Sequence, residues 1–184
     1  MCESIDTFAW QKLAKRVNKA SVSKGFWADE YPLNHHIMMV VSELCEAIEA
    51  DRQGRYAYME KYMDKLETEE FVCVYACHIK GTLEDELADA AMRLLDIIAQ
   101  MGWIIDDIVC PAYVSLNYYG SFPLFCYSIT QDLVLKPDGD RRAVLSALYG
   151  VMAVAYMYGI DLLNHIELKM RYNKTRPRLH GKRY

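Results

Sequence analysis

The stretch LADAAMRLLDIIAQ, residues 87–100, sets the fold class. Leu87, Ala91, Leu94, Leu95 and Ile98 recur at intervals of three and four. That spacing lines up one face of an α-helix and does not fit the alternation of a strand. The same periodicity runs through most of the chain. Residues 5–20 read as an amphipathic helix with Ile5, Phe8, Ala9, Leu13 and Val17 on one side. Residues 35–53 follow, capped by Asn34 and striped by Ile37, Val41, Leu44 and Ile48, with Val40 and Ala47 alongside. Gly54 stops that helix, and residues 55–80 are polar, aromatic and helical in part. Thr82 caps the next helix, with Asp85 three residues on in the manner of a capping box, and Gly102 ends it near residue 101.

Beyond Gly102 the breaks at Pro111, Gly120 and Pro123 predict an irregular or short-helical region. LFCYSITQDLVL has a strand-like composition, but no partner strand is evident, so a helix is expected there. KPDGD is a turn; long helices over 141–158 and 161–173 follow, and TRPRLHGKRY reads as an extended end. The expectation is an all-α helical bundle forming a single domain over residues 1–184. A chain of 184 residues can bury a substantial core.

Charge and composition narrow the function. The net charge of −4 disfavours a general surface for a nucleic-acid polymer. No stretch approaches the roughly 18 uninterrupted apolar residues of a membrane span, and SALYGVMAVAYMYGI reads as a buried helix. The first residues lack the apolar run of a secretion signal, and the six cysteines are then expected as reduced thiols in a cytoplasm. Cys73, Cys77 and His78 lack the second cluster a zinc site needs and read as a helix face. ELKMRYNKTRPRLHGKRY, by contrast, puts seven Lys and Arg in one short tail, which suits an anionic partner.

The acids are the chemical signal. SELCEAIEADR holds Glu43 and Glu46, and EDELADAAMRLLDII holds Glu86 and Asp89, each pair three residues apart. Such neighbours lie roughly 5–6 Å apart on a helix. Each pair borders an apolar stripe, so two packed helices would bring four carboxylates to one cleft. Their mutual repulsion is relieved by protons or a cation. Oxygen-only ligands select Mg²⁺ or Mn²⁺ over zinc. Arg93 is placed to bridge the acids, whereas Glu49 rotates away and Asp96 lies two turns past Asp89. A di-iron bundle would need Glu-x-x-His on two helices, and the fourth positions here are Glu46 and Asp89.

These two segments resemble the helical pair, E-x-x-E then E-x-x-D, of the MazG-type all-alpha nucleoside triphosphate pyrophosphohydrolases. KGFW before the first acidic helix, YGIDL opening the last helix, and KMRYNKTRPRLHGK, similar to the K-x-x-x-N-x-x-R segment of that family, occur in the same order. The resemblance implies Mg²⁺-dependent cleavage (Mn²⁺ as a substitute) of a (deoxy)nucleoside triphosphate to monophosphate and pyrophosphate, in house-cleaning or pool control, by a homodimer or homotetramer. It implies Glu43, Glu46, Glu86 and Asp89 as metal ligands and catalytic acids, so that Glu46→Gln or Asp89→Asn would abolish turnover. It further implies phosphate contacts from Lys169, Asn173, Arg176 and Lys182, to which Lys24 as a phosphate contact and Trp27 as a base-stacking ring are added from their chemistry. Residues 104–158 look like a helical insertion relative to minimal members. Ser42 stands where many members carry a further Glu, which admits a non-catalytic nucleotide-binding or assembly protein on the same fold.

Overall fold

The computed structural model describes residues 6–106, 120–135 and 140–183, and the described residues hold α-helices, one 3₁₀ turn and no strand. The helices are α1 (Thr7–Ser23), α2 (Leu33–Arg52), α3 (Met59–Leu66), α4 (Phe71–His78), α5 (Leu83–Gln100), α6 (Phe122–Val134), α7 (Arg141–Met157) and α8 (Leu162–Thr175). A 3₁₀ turn, Arg178–Gly181, closes the order. The expected all-α class is the observed one. Ile5 and most of the KPDGD turn lie outside the described residues, as do Cys2, Cys110 and much of the irregular region after Trp103.

α5 is the central helix. α1, α2, α7 and α8 all pack against it. Eleven of its eighteen residues are buried, so apolar burial occupies most of its circumference. Each of its Leu and Ile side chains contributes roughly 1.5–3 kcal/mol on leaving water. Asp6, Asp140 and Asp161 cap α1, α7 and α8 by accepting a backbone N–H inside the first turn. Thr82 caps α5 through a 3.4 Å bond from the Asp85 amide. The Asp85 carboxylate does not complete the box; it accepts from the Gly81 amide at 2.9 Å and turns inward.

Two details differ from the periodicity reading. On α1 the buried residues are Trp10, Leu13, Ala14 and Val17, while Phe8 is 78% exposed. Trp10, about 200° round the helix from Phe8, fills the core instead, because the stripe is set by where α5 lies. α2 starts at Leu33 behind Pro32 with no side-chain cap, so Asn34 is inside the helix. Pro32 occupies the N-cap position and, lacking an N–H, leaves one fewer unpaired donor at that end.

α6 and α7, the helices of the expected insertion, bury Phe122, Phe125, Ile129, Val144, Leu148 and Val151 in the same cluster as α5. α3 and α4 form a separate apolar cluster around Tyr62, Phe71, Tyr75 and Tyr172. Arg171 lies over the Phe71 ring at 3.8 Å, so one cation of the basic tail belongs to that cluster. The four described cysteines, Cys45, Cys73, Cys77 and Cys126, are free thiols. No single helix among the described residues is long and apolar enough to cross a membrane.

The C-terminal end is not extended. It folds back against the α1–α2 loop, with the Leu179 amide donating to the Lys24 carbonyl at 2.8 Å. Leu179 and His180 both hold positive φ, 49° and 52°. Gly25 opposite them has φ 86°, and a Cβ there would lie 2.7 Å from Arg178 Nε. The positive φ favours glycine at that point, and a Cβ there would also make the Arg178 side chain shift.

Candidate metal and phosphate site

α2 and α5 pack side by side, and their acidic edges meet. Glu43, Glu86 and Asp89 each offer an oxygen, all within 4.8 Å of one another, and this is the one such group of potential metal ligands among the described residues. Glu43 and Glu86 are buried and Asp89 is half-buried. Glu46, the fourth expected ligand, is exposed and stands outside the group. Three residues of α2 rotate it past the contact with α5 and into solvent. Glu49 also faces outward, pairing with Arg52 at 2.9 Å. Arg93 reaches across from α5 and donates to Glu43 Oε1 from Nε at 3.0 Å and from its terminal nitrogen at 2.9 Å.

The cluster is short of positive charge. The Glu86 carboxylate makes no hydrogen bond or ion pair among the described residues, and burial followed by repulsion from Asp89 pushes it up to about 8. Burial and Asp89 likewise raise Glu43, against the pull of Arg93. A set of carboxylate oxygens that hold protons for want of a cation fits a hard divalent ion.

Lys169 is the residue whose place differs most from expectation. It is 4% exposed, and its ammonium sits 2.9 and 2.8 Å from the two oxygens of Asp85. The same nitrogen lies 2.6 Å from Asp89 Oδ2. Tyr75 donates its hydroxyl to Asp85 from α4. Burial pulls the Lys169 ammonium down, yet Asp89 and Asp85 together hold it above its ordinary value. Asp85 therefore counts among the site residues. Its sequence signal, three residues past Thr82, reads only as a cap.

Beside the acids opens a cleft of about 110 Å³. Glu43, Asp89 and Arg93 line it together with Lys24, Asn173, Lys174, Arg176, His180 and Lys182. Of the expected phosphate contacts, Asn173, Arg176 and Lys182 thus share the cleft with the acids. Lys24 is there too, with its ammonium donating to the carbonyls of Lys174, at 3.1 Å, and Arg176. Arg176 donates to the His180 carbonyl at 3.1 Å. Burial and then Arg176 lower His180 to about 4, so its ring is neutral. Phe26 meets that ring edge-on at 5.0 Å.

Trp27 does not line the cleft. It stacks on His36 at 3.8 Å, and its indole N–H donates to Asp96 at 3.0 and 3.1 Å. Asp96 also accepts from Ser21 at 2.6 Å and Asn18 at 2.8 Å, fixing α1 and the α1–α2 loop to α5. Burial raises Asp96 while those three donors oppose the rise. Asp96 is two turns from Asp89 on the same face; helical spacing places it past the acid set, and its anchoring of α1 and the α1–α2 loop is visible only in the packed structure.

None of the protein-family models, curated proteins or solved structures compared with this chain matches it.

Proposed function

We propose that the chain hydrolyses a (deoxy)nucleoside triphosphate to the monophosphate and pyrophosphate with Mg²⁺ or Mn²⁺. One observation carries this reading: Glu43, Glu86 and Asp89 lie within 4.8 Å of one another, and Glu43 and Asp89 share a cleft with Lys24, Asn173, Lys174, Arg176 and Lys182. Acids and cations lining one cleft suit a polyphosphate bridged to a cation, and they suit a neutral or purely anionic ligand poorly. The order of motifs shared with the MazG-type enzymes supports the same reading.

Glu43, Glu86 and Asp89 would hold the ion. A divalent ion there would neutralise phosphate charge and lower the pKa of a bound water. Arg176 offers a planar fork for two phosphate oxygens, and Lys182 and Lys174 act as point charges. In the ion-free protein burial and Asp89 favour a proton on Glu86, and a divalent ion held there would displace it. Arg93 anchors Glu43, and Asp96 holds the loop that carries Lys24 and Phe26.

Pyrophosphate release measured over a panel of canonical and modified nucleotides, with Mg²⁺ and then Mn²⁺, tests the activity. Turnover of at least one nucleotide is expected, lost in EDTA and in Asp89→Asn. Tight nucleotide binding without product across the panel would favour the non-catalytic reading that Ser42 admits. Sedimentation of the purified chain decides between the homodimer and homotetramer that the resemblance implies.

A further inference from the structure

We propose that Lys169 is the built-in counter-cation of the acid cluster and the positioning residue for Asp89, and that it does not contact substrate phosphate. What this means for ion binding rests on the metal reading above; the premise is geometric.

Each hydrogen-bonding position of the Lys169 ammonium is directed at protein. Two go to Asp85, at 2.9 and 2.8 Å, and one to Asp89 at 2.6 Å. The side chain is buried on α8 and is absent from the cleft lining, where Lys24, Lys174, Arg176 and Lys182 stand. Asp85 is held in turn by the Gly81 amide at 2.9 Å and by the Tyr75 hydroxyl. Tyr75 is fully buried and stacks on Tyr172 of α8 at 4.5 Å. A continuous chain of contacts thus runs from α4 through α5 to α8 and ends on the acid that faces the cleft. Swinging Lys169 out to a phosphate would strand two carboxylates without a cation, a strongly destabilising change.

The charge count gives the role its consequence. Four carboxylates, Glu43, Asp85, Glu86 and Asp89, face two cations, Arg93 and Lys169. Lys169 fixes Asp89 in the ion-free protein through Oδ2. It also repels an incoming divalent ion and so keeps affinity moderate. Removing Lys169 should therefore weaken the fold and tighten the ion. Removing Asp85 should weaken both. Opposite signs for ion affinity distinguish an electrostatic role from mere packing.

The test uses the full-length chain, with melting in EDTA and Mn²⁺ binding followed by electron paramagnetic resonance. Lys169→Met should melt lower by about 10 °C in EDTA. It should bind Mn²⁺ on the order of tenfold more tightly. Asp85→Asn should also melt lower but bind Mn²⁺ several-fold more weakly. Lys169→Arg, which keeps the charge, should return Mn²⁺ affinity toward wild type. If Lys169→Met does not fold, Tyr75→Phe should still lower the melting temperature by a few degrees through Asp85.

Unchanged melting and Mn²⁺ affinity in Lys169→Met, with pyrophosphate binding lost as in Arg176→Met, would overturn the proposal and place Lys169 on the phosphates. Wild-type protein that binds no Mn²⁺ would sink the metal reading instead. The melting loss and its rescue by Lys169→Arg would then still support the counter-cation, and their absence would overturn it.

Discussion

The acids of α2 and of α5 have the same spacing and different fates. Glu86 and Asp89 both face the cluster, whereas Glu43 enters it and Glu46 does not. Three residues turn a helix by about 300°. Whether both members of a pair stay covered depends on how widely the helix is surrounded. α5 is packed by α1, α2, α7 and α8, so a 60° offset between Glu86 and Asp89 still leaves both at a contact. α2 packs chiefly on α5 and α6, and the same offset carries Glu46 to water. Equal motifs become unequal sites when one helix is central and the other peripheral.

Substitutions can break or sharpen that contrast. Asp89→Asn should cost about 100-fold or more in pyrophosphate release, equivalent to about 2.7 kcal/mol of barrier. A smaller loss than from Glu46→Gln would reverse the ranking of the two helices.

The next effect is on pH dependence. Glu86 titrates near 8 in the folded chain against an ordinary 4.5. Between those values the native state keeps a proton that the unfolded chain has released. Stability from this group is therefore full below about 4.5 and is lost as pH rises through about 8. Glu86→Gln removes the decline, so in EDTA its melting advantage over wild type should grow from pH 5 to pH 9. Mg²⁺ should reduce that advantage by satisfying the carboxylate in the wild type. Melting curves that stay parallel across the range would show that Glu86 feels neither burial nor Asp89.

Gly25→Ala tests the strap that bounds the cleft. The positive φ and the Arg178 approach should together cost about 1–3 kcal/mol, seen as a melting loss of several degrees. The smallest effect is expected from Glu46→Gln, no more than about fivefold in rate, because its charge is screened by water. A loss comparable to Asp89→Asn would show that Glu46 swings onto the ion during turnover.

The helices were legible because their signal is local. Leu87, Leu94 and Ile98 repeat with the helical period, Gly54 and Gly102 follow the ends of α2 and α5, and α6 was read as a helix despite its strand-like composition. The spacing of the two acid pairs is legible for the same reason, although Glu46 stands outside the cluster; Arg93, expected to bridge the acids, pairs with Glu43. The role of Lys169 was not. On α8 it sits in a basic run and looks like a phosphate contact. Its partners are Asp85 and Asp89, eighty or more residues earlier. The fate of Trp27 was hidden likewise, since an aromatic ring beside a glycine loop does not announce that Asp96 will take its N–H.

The chain's order of residues determined which segments become helices, where they stop, and which edges carry charge, since each depends on neighbours within a turn or two. Tertiary packing decided which carboxylates share a cation, which lysine is spent inside the protein and which face the cleft. Those outcomes depend on dielectric environment and on distances of a few ångströms between α2, α5 and α8, and neither exists until the helices have packed.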